Sequence, residues 1–120
     1  MILYSNDLFQ ISFGLNNGKI KIFDISTFNE HKMKISDLQY APNKSNVLIS
    51  SSYDGTIRAY DLIKYKNFRI MTTPNPNQFS CCSIDFTGEI ISAGFLESYS
   101  IYIWSLNETF KISKKINVRN

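Results

Sequence analysis

Val47-Leu48-Ile49-Ser50-Ser51-Ser52-Tyr53-Asp54-Gly55-Thr56-Ile57-Arg58-Ala59-Tyr60-Asp61 decides the fold. Two strand-forming runs flank a single Asp54-Gly55 pair, and a tight hairpin needs positive φ there, which glycine supplies at little cost. The second run stops on an aromatic followed by an acid, Tyr60-Asp61. Upstream lie His31 and the run Ile35-Ser36-Asp37-Leu38-Gln39-Tyr40-Ala41-Pro42, so one strand is followed by a hairpin of two more.

The same layout recurs on both sides. Before it come Phe9-Gln10-Ile11-Ser12-Phe13-Gly14, the turn Leu15-Asn16-Asn17-Gly18 and the strand Lys19-Ile20-Lys21-Ile22-Phe23-Asp24. After it comes the run from Phe79-Ser80-Cys81-Cys82 through Gly88 to Ser92-Ala93-Gly94, ending at Ile101-Tyr102-Ile103-Trp104-Ser105. From Phe23 to Tyr60 is 37 residues and from Tyr60 to Trp104 is 44. These distances bracket the roughly 40–45 residues of a propeller blade. Inside each stop strand the side chains alternate with period two, as antiparallel strands of a packed sheet do. The expected architecture is all-β: two to three four-stranded antiparallel blades of an incomplete propeller ring, with blade portions at about 8–25, 31–73 and 77–116.

Composition agrees. Of 120 residues 43% are hydrophobic and 19% charged, enough apolar side chains to pack a core. Isoleucine, phenylalanine and tyrosine dominate, whereas alanine occurs only at Ala41, Ala59 and Ala93. A net charge of +3 falls short of a dedicated nucleic-acid-binding domain. Adjacent Cys81 and Cys82 cannot readily bridge each other, which points to a reducing compartment. No run of 18 apolar residues and no basic-then-apolar leader occurs, so membrane spanning and secretion are disfavoured. The sequons Asn43-Lys44-Ser45 and Asn107-Glu108-Thr109 then read as chance matches.

The chemistry-bearing residues are few. His31, Asp54 and a strand serine are the residue types of an acyl-transfer triad, but no Gly-x-Ser-x-Gly elbow accompanies them and the acid sits in a blade turn. One histidine and two adjacent cysteines cannot fill a zinc site, and no phosphate-binding glycine loop occurs. No catalytic, cofactor or metal residue is therefore assigned. Lys64-Tyr65-Lys66-Asn67-Phe68-Arg69 mixes bases with aromatics, a pattern that fits either a lysine-guarded edge strand or a contact with RNA or a partner through Lys64, Lys66 and Arg69. Lys111, Lys114, Lys115 and Arg119 read as a solvated strand face.

With its Asp-Gly turn, alternating strand and aromatic-Asp ending in register, the chain resembles the WD-repeat class. The resemblance implies that His31, Ser50 or Ser52, Asp54 and Tyr60 form a hydrogen-bonded structural core, with Gly18 and Gly55 as turn glycines and Asp24, Asp61 and Trp104 as blade ends. From Asp54 to Leu106 the likeness narrows to the periodic tryptophan protein two family. It is carried by Asp54-Gly55-Thr56-Ile57-Arg58-Ala59-Tyr60-Asp61-Leu62, Tyr65 to Arg69, Pro74, Pro76, Gln78-Phe79-Ser80-Cys81, Gly88-Glu89-Ile90, Ser98-Tyr99 and Ile103-Trp104-Ser105. That family implies tandem propellers and a structural role in the nucleolar small-subunit processome, in contact with precursor rRNA, a small nucleolar RNP and other WD-repeat scaffold proteins. A cytoplasmic protein-interaction adaptor is the alternative, and a propeller hydrolase the enzymatic one.

Departures from the pattern set further expectations. Three blades or fewer do not close a ring, the chain is expected to begin within a blade, and the six residues between Asp24 and His31 are expected to be too few for an outer strand. Asn75 and Ser105 replace the opening histidine and stop acid of the third repeat, so packing alone is expected to hold it.

Overall fold

The computed structural model describes residues 2–4, 11–22, 26–42, 44–106 and 113–117. Among these described residues, twelve strands form three antiparallel four-stranded sheets, each with its strands in sequential order. The first blade holds β1 (Ile2–Tyr4), β2 (Ile11–Gly14), β3 (Ile20–Ile22) and β4 (Ser26–Phe28); the second holds β5 (Ile35–Ala41), β6 (Lys44–Ser52), β7 (Ile57–Asp61) and β8 (Lys66–Met71). The third holds β9 (Phe79–Ile84), β10 (Ile90–Phe95), β11 (Ser100–Ser105) and β12 (Ser113–Asn117).

Two expectations require correction. The connection between Asp24 and His31 does carry an outer strand: β4 pairs with β3 in the register Ile20↔Phe28, Lys21↔Thr27 and Ile22↔Ser26. Three residues suffice because Phe28 is buried against the next blade, its ring centroid 4.4 Å from that of Tyr60, so packing replaces strand length. The first blade is also not entered partway, since Ile2–Tyr4 pairs with Ile11–Phe13 and completes a four-stranded sheet.

The turn glycines behave as the dihedral argument requires. Gly18 and Gly55 take φ of 86° and 84° in the β2–β3 and β6–β7 hairpins. In the third blade the glycine moves: Gly88, at φ 76°, turns the first hairpin, β9 to β10. Asp85 organises that turn, accepting from the Thr87 hydroxyl at 2.6 Å and from the Glu89 and Ile90 N–H groups at 2.9 Å. The Thr87 hydroxyl, followed by the Ile90 and Glu89 N–H groups, lowers its carboxyl to about 2.

Each interface between neighbouring blades has its own apolar core. Ile20 and Phe28 of the first blade meet Ile35, Leu38, Leu48, Tyr60 and Leu62 of the second. On the other face of the second blade, Val47, Ile49, Ile57, Ala59 and Met71 meet Phe79, Ile91, Ala93, Tyr102 and Trp104 of the third. Alternation explains the division, because Ile57 and Ala59 point to one face of β7 and Tyr60 to the other.

Candidate functional site

Inside the second blade the long loop before β5 returns His31 to the β6–β7 hairpin. The imidazole Nδ1 lies 2.8 Å from Asp54 Oδ2 and Nε2 lies 2.6 Å from Ser50 Oγ. With Nδ1–H donating to the carboxylate, Nε2 accepts from the Ser50 hydroxyl. The other Asp54 oxygen, Oδ1, accepts from the Thr56 hydroxyl at 2.7 Å and the Thr56 N–H at 2.9 Å, while the Lys32 N–H adds a bond to Oδ2 at 3.0 Å. Burial works against the charge on Asp54, but the His31 ring, the Thr56 hydroxyl and the Lys32 N–H outweigh it and hold the carboxyl well below its ordinary value.

Of the two serine candidates the geometry separates the roles. Ser50 joins His31, whereas Ser52 Oγ donates to the Met33 carbonyl at 3.1 Å and accepts from the Asp54 N–H at 3.1 Å, fastening the hairpin to the loop. Tyr60 lies fully buried on the blade-one side, where burial pushes its phenol well above the usual range. Ser50 eases that shift, but the Tyr60 hydroxyl completes no hydrogen bond of good geometry, so its ring packing against Phe28 is the defined contribution. Thr56 escaped the sequence reading. Its signal was available: a hydroxyl two residues after a turn aspartate, where Asx-type bonding falls.

This arrangement has the hydrogen-bond order of a nucleophilic triad, Ser to His to Asp, yet Ser50 and its neighbours Ser51 and Ser52 are all 0% exposed. An acyl group cannot reach Ser50 Oγ, and a triad acts only where substrate can sit beside the nucleophile and an oxyanion hole. What the network can do is satisfy a buried imidazole and tie together the loop, β6 and the β6–β7 turn.

The remaining candidates take separate places. Asp61 Oδ1 caps the turn after β7, accepting from Ile63 N–H at 2.8 Å and Lys64 N–H at 3.0 Å; the Lys64 N–H, chiefly, holds its carboxyl below the usual value. Asp24 lies outside the described residues, as do Lys111 and Arg119. Trp104 is buried, edge-on to Phe79 at 6.0 Å and stacked on Tyr102 at 5.8 Å. Lys64 and Lys66 are exposed at the start of the outer strand, whereas Arg69 Nη2 is bound to the Leu106 carbonyl at 2.8 Å. Ala93, opposite Tyr102, stands where Ser50 stands opposite Arg58, and rings fill the third blade instead: Phe79 stacks on Phe95 at 4.8 Å, and Phe95 meets Tyr102 edge-on at 5.7 Å. Among the described residues no three of His, Cys, Asp and Glu converge as metal ligands would.

Comparison with known proteins places these observations. The model of the family described as WD domain, G-beta repeat, matches residues 22–61. The chain is 45% identical over 112 residues to the periodic tryptophan protein 2 homolog of Dictyostelium discoideum and 34% identical over 110 residues to periodic tryptophan protein 2 of Arabidopsis thaliana. The alignments cover 88% and 87% of this chain but 12% of each relative, so the chain spans about an eighth of their length. Among solved structures, the β-propeller domain of Cps50 (Swd1) from Myceliophteria thermophila superposes with a TM-score of 0.85 at 13% identity, over 96% of this chain and 38% of that one, a likeness of fold. With blades of four antiparallel strands, an Asp-Gly hairpin and a buried His-Asp-Ser network, the chain belongs to the WD-repeat family of β-propellers, within which it is homologous to a segment of periodic tryptophan protein 2.

Proposed function

We propose that the protein containing this chain is a non-catalytic scaffold of ribosome biogenesis, acting in small-subunit (18S) rRNA maturation within the nucleolar small-subunit processome. The observation that carries this reading is the 45% identity over 112 residues to a periodic tryptophan protein 2 homolog, an alignment that covers 88% of the chain. The physical chemistry is compatible with it. The His31-Asp54-Ser50 constellation is closed to substrate, while rigid blades present turns and strand edges on which several partners can be held. Its partners in this reading are other WD-repeat and scaffold proteins, with precursor rRNA and a small nucleolar RNP engaged through the assembly; no membrane, cofactor or small-molecule substrate is involved.

Gradient sedimentation of the full-length protein, with depletion in parallel, tests the proposal. The protein is expected in large particles that contain precursor rRNA, and depletion is expected to reduce mature small-subunit rRNA. A protein confined to light cytoplasmic fractions, with rRNA maturation unchanged on depletion, would replace this reading with that of a general WD-repeat adaptor.

A further inference from the structure

The second blade ends in a strand edge that is unusually apolar for a solvent-facing element. In the sheet order β5-β6-β7-β8, β8 is the outermost strand, so among the described residues one side of its backbone has no ladder partner; its register against β7 shifts at Phe68. Along it Phe68 is 40% exposed and Ile70 45%, and Tyr65, in the turn just before, is 38% exposed with φ 53°. Ile70 lies opposite Arg58, on the face of the sheet turned toward the first blade. Phe28, at the end of the three-residue outer strand β4 of that blade, reaches Tyr60 and Tyr65, while Ile70 keeps its 45% exposure. The opposite face of β8 is closed, with Met71 buried and Arg69 bound to the third blade.

Charge selects the occupant. Lys64 and Lys66 stand exposed at the head of the strip and Arg58 is held at its base, Nη1 bonded to Asn67 Oδ1 at 2.8 Å. Of the nearby acids, Asp61 is engaged by the backbone of its own turn, and Glu30, half-buried, acts on Tyr60 beneath the strip and not at the exposed lysines. A basic, apolar strand edge attracts an extended acidic segment bearing alternate apolar side chains, whereas a second copy of the same edge, paired antiparallel, brings no carboxylate to Lys64 and Lys66. RNA could stack on Tyr65 and Phe68 but fits less well, because it has no strand backbone to continue the ladder and Ile70 offers no π-face.

We infer that the free edge of β8 is a docking site for an extended acidic segment of a partner protein, which adds to the sheet as a further strand, seats its apolar side chains against Phe68 and Ile70, and places its carboxylates near Lys64 and Lys66. The inference rests on the scaffold reading only in requiring a protein partner, and sedimentation tests that reading separately.

Fluorescence anisotropy on the full-length protein tests the site directly, using a labelled peptide of about ten residues that alternates Asp and Glu with Val and Ile, the same peptide with lysine for each acid, and a ten-nucleotide oligouridine. The acidic peptide is expected to bind saturably and the lysine peptide not. Ile70→Glu and Lys66→Glu, both exposed and so checked for an unchanged thermal melt, are each expected to weaken binding by about tenfold. Absence of saturable binding by the acidic peptide, or equal binding by wild type and both variants, overturns the site. Oligouridine binding that the same substitutions abolish identifies a nucleic-acid surface instead, and a concentration-dependent dimer that they disrupt identifies self-association; either outcome also overturns it.

Discussion

At the scale of single residues, burial decides what Ser50, His31 and Asp54 are. Their spacings of 2.6 and 2.8 Å are those of a proton relay, but a side chain with 0% exposure meets no substrate. A serine-reactive fluorophosphonate is therefore expected to leave Ser50 unlabelled in the native full-length protein; a mass spectrum showing the adduct on Ser50 would restore the enzymatic reading. Asp54→Asn removes one of two acceptor oxygens that together receive bonds from His31, Lys32 and Thr56. The expected cost is about 1–3 kcal/mol, seen as faster amide hydrogen exchange across the β6–β7 hairpin with no loss of any chemical activity. Because the folded Asp54 carboxyl lies below its ordinary value of 3.8, its stabilisation is complete above that value and is lost as pH falls toward the lowered one. The ratio of exchange rates between Asp54→Asn and wild type should therefore shrink between about pH 5 and pH 3, whereas a constant ratio would mean that the carboxylate charge contributes nothing. His31 was legible in the sequence as the one histidine, and Asp54 as the residue before a hairpin glycine. The choice between Ser50 and Ser52 was not, since it depends on which serine the loop before β5 delivers to the imidazole.

Among elements, the hairpins show where sequence determines geometry and where neighbours do. Asn17-Gly18 and Asp54-Gly55 were readable as turns because positive φ restricts the residue types that can occupy them. In both turns the side chain before glycine accepts the N–H two residues on, Asn17 from Lys19 at 3.1 Å and Asp54 from Thr56 at 2.9 Å. What surrounds the two glycines differs. A Cβ on Gly18 would lie 2.4 Å from the His31 carbonyl oxygen and 2.8 Å from that of Met33, both backbone atoms of the adjoining blade, whereas one on Gly55 would come no closer than 3.3 Å, to the Asn77 carbonyl. Gly55→Ala is expected to cost only the left-handed strain, about 1–2 kcal/mol, and Gly18→Ala distinctly more because the first and second blades must separate. Thermal denaturation of the two variants in the full-length protein checks this, and equal costs would mean that the blade contact around Gly18 adds nothing. The strand β4 escaped the sequence reading for a related reason: three residues carry too little periodicity to be seen, and Phe28 is held by Tyr60 across the blade boundary rather than by its own ladder. The third blade keeps a glycine turn but at its first hairpin, where Gly88 takes positive φ and Asp85 accepts from the Glu89 and Ile90 N–H groups.

Across the whole molecule, stability comes from the joints between blades, and those joints differ. Between the second and third blades an aromatic cluster around Phe79 and Trp104 is supported by polar bonds: Ser36 Oγ donates to the Phe79 carbonyl at 2.7 Å, the Cys82 N–H donates to Asp37 Oδ2 at 3.1 Å, and Arg69 reaches Leu106. None of these three bonds was legible in the sequence, because each joins residues more than 30 positions apart. The far face of the third blade has no such joint among the described residues. Ile101 and Ile103 alternate with the inward-facing Tyr102 and Trp104, and Ile90, opposite Ser105, shares their face and is 48% exposed. In a closed ring a further blade would cover that face; in the isolated chain water meets it, and the transfer term of about 25 cal/mol per Å² is lost over its whole apolar area. The outermost strand edges are likewise open to pairing with other molecules. The isolated 120-residue chain is therefore expected to melt broadly, bind a hydrophobic dye and self-associate, and extending it by the sequence of an adjoining blade should sharpen the melt. Calorimetry and sedimentation velocity on the two lengths decide the matter: a sharp, cooperative melt from a monomeric 120-residue chain would mean that three blades with two uncovered faces already hold enough buried surface to fold, and that the joints seen here need no support from the rest of a ring.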